Sequence, residues 1–183
     1  MTSRHLTAGE IQLARSVFGD SINYAEVKVN NRHFPLLQKK DVAMAPTGNL
    51  YMYNYYRDDY SKDRDPYLKA LFIHEMTHVW QYKNKVLHPT ISNALLQLKH
   101  KFNYSAAYPF RLDAKKDLVN YGVEQQASII EEYFLIKHEG LTGHAYHCQN
   151  NCNDNERLGL YEQVLKKFLK NPSYAKRRFP KLF

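Results

Sequence analysis

Apolar positions recur at three- and four-residue intervals along several stretches of the chain and alternate along shorter ones near its start. Residues 6–18 carry the stripe Ile11, Ala14, Val17 and Phe18. Thr7 can cap that helix with Glu10 at the capping-box position, and Gly19 ends it. Leu68, Leu71, Phe72, Met76, Val79 and Trp80 form a second helical stripe, with Asp65 as N-cap and Pro66 at the first helical position. A third helix is predicted over residues 90–102 from Ile91, Leu95, Leu96 and Leu98. A fourth runs through Gly122 to about His138, capped by Asp117 or Asn120 and striped by Val123, Ala127, Ile130 and Phe134. A last helix, over about 156–170, is stopped by Asn171-Pro172.

Between these, residues 24–29 alternate as a strand does, and Asn30-Asn31 reads as a turn. Residues 41–45 and 50–53 flank Pro46-Thr47-Gly48-Asn49 and read as a hairpin leading toward a sheet edge. Residues 55–65, 103–112 and 140–155 read as loops or irregular segments. With no repeats or low-complexity linker, the pattern predicts one α+β unit whose helices mostly follow its strands. A chain of 183 residues suits a single domain with a real core. The formal net charge of +8 favours anionic partners, whether nucleic acid, lipid headgroups or cell-wall polymer, without choosing among them. No apolar run approaches the roughly 18 residues of a membrane span. Met1-Thr2-Ser3-Arg4-His5 lacks the apolar core of a secretory signal, so the expectation is a cytosolic chain, an excised domain, or export without a cleaved leader.

The chemistry concentrates in His74-Glu75-Met76-Thr77-His78, an H-E-x-x-H pattern inside the second helix. Four residues apart, the two imidazoles leave one helix face a turn apart, the spacing a tetrahedral Zn²⁺ needs from two nitrogen ligands. Glu75 lies about 100° round the helix from His74. From there it can act as general base on a metal-held water without being a ligand. A third ligand must come from elsewhere, among Glu124, Glu131, Glu132, Glu139, His88, His100, His138, His144 and His147. Glu124 is favoured because it neighbours the apolar face of its helix, and an inward carboxylate needs a cation to offset its desolvation. Glu131, seven residues on and nearly on the same face, is the alternative, or a partner standing behind the ligands.

An H-E-x-x-H followed by a glutamate on a later helix resembles the gluzincin arrangement of zincin metallopeptidases. The wider pattern resembles the small zincin-like toxin domains associated with type VI secretion, including those fused to VgrG spike proteins. It rests on Phe18-Gly19-Asp20-Ser21-Ile22, Met44-Ala45-Pro46-Thr47-Gly48-Asn49-Leu50-Tyr51, Phe72-Ile73-His74-Glu75-Met76-Thr77-His78-Val79-Trp80-Gln81 and Tyr121-Gly122-Val123-Glu124-Gln125-Gln126-Ala127. The gap of 46 residues from His78 to Glu124 is wide for a gluzincin and fits the toxin-like domains, where an inserted segment such as 90–110 separates the helices. The resemblance implies a single zincin-like domain with zinc on His74, His78 and Glu124, Glu75 as base, and hydrolysis of peptide bonds. It also implies an antibacterial effector acting in a target cell's periplasm, with a spike partner and an immunity protein, and a sheet edge at residues 50–53 along the bound peptide. The oxyanion of such a reaction needs a donor, for which Tyr108 and Tyr121 are the candidates.

Two further clusters stand apart. His144, His147, Cys148 and Cys152 suit a second metal site, a disulfide or two plain thiols. Lys166, Lys167, Lys170, Lys176, Arg177, Arg178 and Lys181 form a basic tail. They support an alternative of another class, a catalytically inactive metal-binding module that docks on a polyanion or a protein. Such a module would tolerate loss of Glu75, whereas a peptidase would not.

Overall fold

The computed structural model describes residues 2–35, 38, 41–86 and 107–176. In chain order these form β1 (Ser3–His5), α1 (Ala8–Phe18), β2 (Lys28–Asn30), β3 (Leu50–Tyr51), α2 (Pro66–Lys83), α3 (Val123–Lys137), α4 (Asp154–Val164) and α5 (Lys166–Lys170). The helix expected over 90–102 lies outside the described residues.

The expected capping box opens α1, with Glu10 N bonded to Thr7 Oγ1 at 3.1 Å and Thr7 N to Glu10 Oε2 at 2.9 Å. Glu10 does more than cap. Fully buried, its carboxylate takes both Arg4 terminal nitrogens at 2.8 Å and the Tyr60 backbone N–H at 3.1 Å. One carboxylate thereby ties β1, α1 and the segment leading into α2 together. The buried face of α1 is accordingly Glu10, Ala14 and Phe18, with Ile11 and Val17 only partly covered.

The sheet has the order β1-β2-β3, antiparallel between β1 and β2 and parallel between β2 and β3. Two expectations shift here. Residues 24–26 form a 3-10 turn rather than strand, held by the Tyr24 hydroxyl donating to Gly19 O at 2.6 Å, so pairing begins at Lys28. The expected hairpin shrinks to an antiparallel bridge between Met44 and Tyr51. Leu50–Tyr51 pairs instead with β2, because Asn49 Oδ1 accepts from Lys28 N at 2.9 Å and Asn30 Nδ2 donates to Leu50 O at 2.9 Å. Side-chain amides outcompete the local turn for the register.

Asp65 caps α2 through Tyr67 N at 2.9 Å, with Pro66 at the first position. Every residue from Phe72 to Gln81 is buried, so the middle of α2 is enclosed on all sides rather than amphipathic, while Tyr67 and Tyr82 near its ends are exposed. It packs against α3, α1 and β3. Its far end is closed by Phe168, whose ring stands edge-on to Trp80 at 5.2 Å, while Trp80 Nε1 donates to Pro172 O at 2.9 Å. Neither expected cap opens α3: Asp117 caps the 3-10 turn Leu118–Asn120, and Gly122 is the N-cap. An Asn153–Glu156 capping box starts α4 at Asp154, and Leu165 divides the expected last helix in two.

The polar segment after α3 is pinned from two sides. Phe110 N donates to His147 O at 3.1 Å, and Gln149 N to Phe110 O at 2.8 Å. Beneath it the buried Glu132 accepts from the Tyr161 hydroxyl at 2.7 Å and from His147 N. Cys148 and Cys152 are free thiols. Among the described residues, no helix is long and apolar enough to cross a membrane.

Two stability predictions follow from the buried carboxylates. Replacing Glu10 by Ala strands Arg4 and the Tyr60 N–H, so denaturant melts should show a loss of about 3 kcal/mol. A loss below about 1 kcal/mol would mean that water replaces the carboxylate. Burial pushes the Glu132 carboxyl up from 4.5 to about 7, so the folded chain binds this proton more tightly than the unfolded one. Its contribution is complete below the unfolded value and is lost as pH rises through about 7. The melting-temperature difference, Glu132→Gln minus wild type, should therefore grow from about pH 5 to about pH 8. A flat difference would contradict this.

Candidate metal centre

The enclosed middle of α2 presents His74 and His78 to the first turn of α3, where Glu124 sits. A carboxylate there also gains from the unsatisfied N–H groups of the helix start. Both imidazoles aim Nε2 at the same oxygen, Glu124 Oε2, at 3.5 Å from His74 and 3.1 Å from His78. One ligating atom from each of the three residues lies within 4.8 Å of the others.

The opposite ring nitrogens are held as well. His74 Nδ1 meets Glu131 Oε2 at 2.8 Å, and His78 Nδ1 meets Gln81 Oε1 at 2.9 Å. The Gln81 amide nitrogen donates to Val123 O and Gln126 Oε1, each at 3.0 Å, so its oxygen is left to accept from His78. Gln126 in turn donates to Tyr121 O at 2.8 Å. With acceptors on both Nδ1 atoms, an imidazole that binds a cation keeps its proton there and turns its Nε2 lone pair to the centre.

Burial by itself would make His74 a weaker base. The surrounding carboxylates of Glu131, Glu124 and Glu75 reverse that and raise its pKa to about 10. Such an excess of negative charge in a buried site suits a cation. Glu75, 3% exposed, carries an Oε2 with no hydrogen-bond partner among the described residues. That orphaned oxygen, two convergent imidazoles and a carboxylate make a donor set that fits a divalent metal with a base beside it.

An open cleft of about 200 Å³ leads to this cluster, walled by Tyr55, His74, Glu75, Tyr108, Glu131 and His147. The Tyr108 ring lies 5.8 Å from His74 and stacks on His147 at 5.2 Å. Tyr121 is elsewhere: its hydroxyl accepts from Asp113 N at 2.9 Å and does not line the cleft. Residues 41–43, beyond the Met44 bridge, line the cleft, in place of the edge expected at 50–53. Among the described residues, no second group of three ligating side chains comes together around His144, His147 and the cysteines.

No family model matches the sequence. Over 142 residues, 74% of the chain, it is 41% identical to the type VI secretion system spike protein VgrG2b of Pseudomonas aeruginosa, 13% of whose length it spans. The structure matches the effector domain of P. aeruginosa VgrG2b with a TM-score of 0.67 and 34% identity, covering 86% of this chain and 83% of that one. The chain belongs to the family of the VgrG2b effector domain.

Within this VgrG2b-type domain, Gln81, Gln126 and His147 are the site residues that motif reading passed over or left unplaced. Gln81 had a signal: three positions after His78, it shares that helix face. Gln126 had none, because its partner lies on another helix.

The geometry predicts that His74→Ala or His78→Ala abolishes tight binding of a divalent metal, measured by competition with a chromophoric chelator. Glu124→Gln should weaken it more than Glu131→Gln, whose effect through His74 is expected at about 10- to 100-fold. A greater loss in Glu131→Gln would exchange the two roles.

Proposed function

We propose that this VgrG2b-type domain is a zincin-like zinc metallopeptidase. The observation that carries the reading is the buried His74–His78–Glu124 cluster beside the unpartnered Glu75 Oε2, at the end of an open cleft. His74, His78 and Glu124 would hold the zinc, with Glu131 and Gln81 orienting the imidazoles. When bound, zinc supplies a Lewis acid that polarises the scissile carbonyl and makes water acidic near neutrality. Glu75 accepts the proton of the attacking water and returns it to the leaving amine, so the amine departs neutral. Tyr108, which lines the cleft, would offer its hydroxyl to the developing oxyanion. An extended substrate would lie along residues 41–43 of the cleft wall.

VgrG2b is a type VI secretion system spike protein, and its matching portion is described as an effector domain. By that likeness we propose that the present domain travels with a VgrG-type spike, acts on protein or cell-wall peptide in the periplasm of a target bacterium, and is countered there by an immunity protein.

Glu75→Gln should keep its zinc and lose about 100-fold or more of peptide cleavage. Directed to the periplasm of a test bacterium, the wild type should be toxic and the variant harmless. Equal toxicity of both would favour the alternative, a catalytically inactive module that binds a polyanion or protein through the basic surface of this +8 chain.

A further inference from the structure

A second cavity adjoins the catalytic cleft and shares two walls with it. Its volume is about 460 Å³, and Glu131 and His147 line both spaces. This is within the usual size of ligand pockets and ample for one long side chain. The remaining walls are Tyr67 at the start of α2, Glu132 and Leu135 on α3, and His144 and Tyr146 from the segment that follows.

The rings form a continuous series. Tyr67 lies 5.6 Å from His144, and His144 lies 6.5 Å from Tyr146 in a stacked arrangement. Tyr146 stands edge-on to His147 at 4.7 Å, and His147 stacks on Tyr108, which borders His74. Tyr67 and Tyr146 are 54% and 79% exposed, a large aromatic area left uncovered.

The charge of this lining runs against that of the molecule. On a chain of formal charge +8, the described residues that line the cavity include Glu131 and Glu132 and neither Lys nor Arg. Burial lowers the pKa of His144 and of His147, so both imidazoles are neutral at neutral pH and add no positive charge to the lining. Glu132 already accepts from Tyr161 and His147 N, and Glu131 gives Oε2 to His74 Nδ1, so the second Glu131 oxygen is the acceptor left at the border of both spaces. Aromatic faces around a carboxylate recognise an organic cation, since the ring quadrupole and the anion act in the same direction.

We infer that this cavity is a specificity subsite for the ammonium or guanidinium side chain of a residue flanking the scissile bond. The inference rests on the peptidase reading and adds the substrate class: peptides bearing a basic side chain next to the bond that is cut. An aliphatic side chain would cover the second oxygen of Glu131 without offering it a donor, and an acidic one would meet like charge.

The test uses acetylated, amidated Ala-Ala-X-Ala-Ala peptides with X as Lys, Arg, norleucine or Glu. Binding is measured by calorimetry to zinc-loaded Glu75→Gln protein, and cleavage is measured with the wild type. Lys and Arg peptides should bind about tenfold tighter than norleucine, with Glu weakest. Adding Tyr67→Ala and Tyr146→Ala, both at exposed rings, should remove most of that advantage. Tyr146→Lys should bring the Lys and Glu peptides together or reverse their order. Equal binding of Lys and norleucine peptides, or a preference untouched by these variants, overturns the subsite. Cleavage without a basic preference also removes the subsite while leaving the peptidase reading intact. Selective binding of Lys and Arg peptides with no cleavage of any peptide does the opposite.

Discussion

The structure depends on a helix whose middle is buried on every side and yet carries His74, Glu75, Thr77, His78 and Gln81 there. Removing such groups from water costs several kcal/mol each unless they are paired. The fold meets that demand almost entirely from α3. Glu124 and Glu131 face the histidines, and Val123 O and Gln126 take the Gln81 amide. Thr77 is satisfied within α2 itself, through Ile73 O at 3.0 Å. The Glu75 oxygen is the exception, and it sits where the proposed chemistry needs a base.

This pairing also sets how the two helices meet. Gln81 links the second histidine to the first turn of α3, and Gln126 links that turn to Tyr121 just before it. Sliding α3 by one residue would turn Glu124 away from both imidazoles and break the amide chain together. The register is therefore held by polar geometry, with apolar packing supplying the bulk of the contact. Such networks are worth most when complete, because each unsatisfied member carries a full desolvation cost.

Away from the cluster, the same device appears with a different purpose. Glu10 gathers Arg4, Thr7 and Tyr60, and Glu132 gathers Tyr161 and the backbone at His147. Each buried carboxylate fastens a segment of little regular structure to a helix. Glu132 holds the stretch bearing His144, Tyr146 and His147 against the open end of the site. The aromatic cavity proposed as a subsite thus depends on a carboxyl that the reaction itself does not use.

Local chemistry was legible in the chain. Thr7 with Glu10, Asp65 with Pro66, and Gly19 each marked a helix end where the structure has one, because capping is decided by a few adjacent residues. The periodic stripes located α1, α2 and α3, and helix geometry alone put His74 and His78 on one face. The helix stripe turns Glu124 inward, and the structure places it against both histidines. The rest required tertiary contacts. Residues 24–26 left the strand because Tyr24 reached Gly19, and Leu50–Tyr51 paired with β2 through Asn49 and Asn30. Tyr108 and Tyr121 were indistinguishable as a pair of tyrosines until the backbone of Asp113 claimed one hydroxyl and the cleft received the other ring. Distances across 46 or 57 residues of chain decide such matters, and no spacing within one helix encodes them.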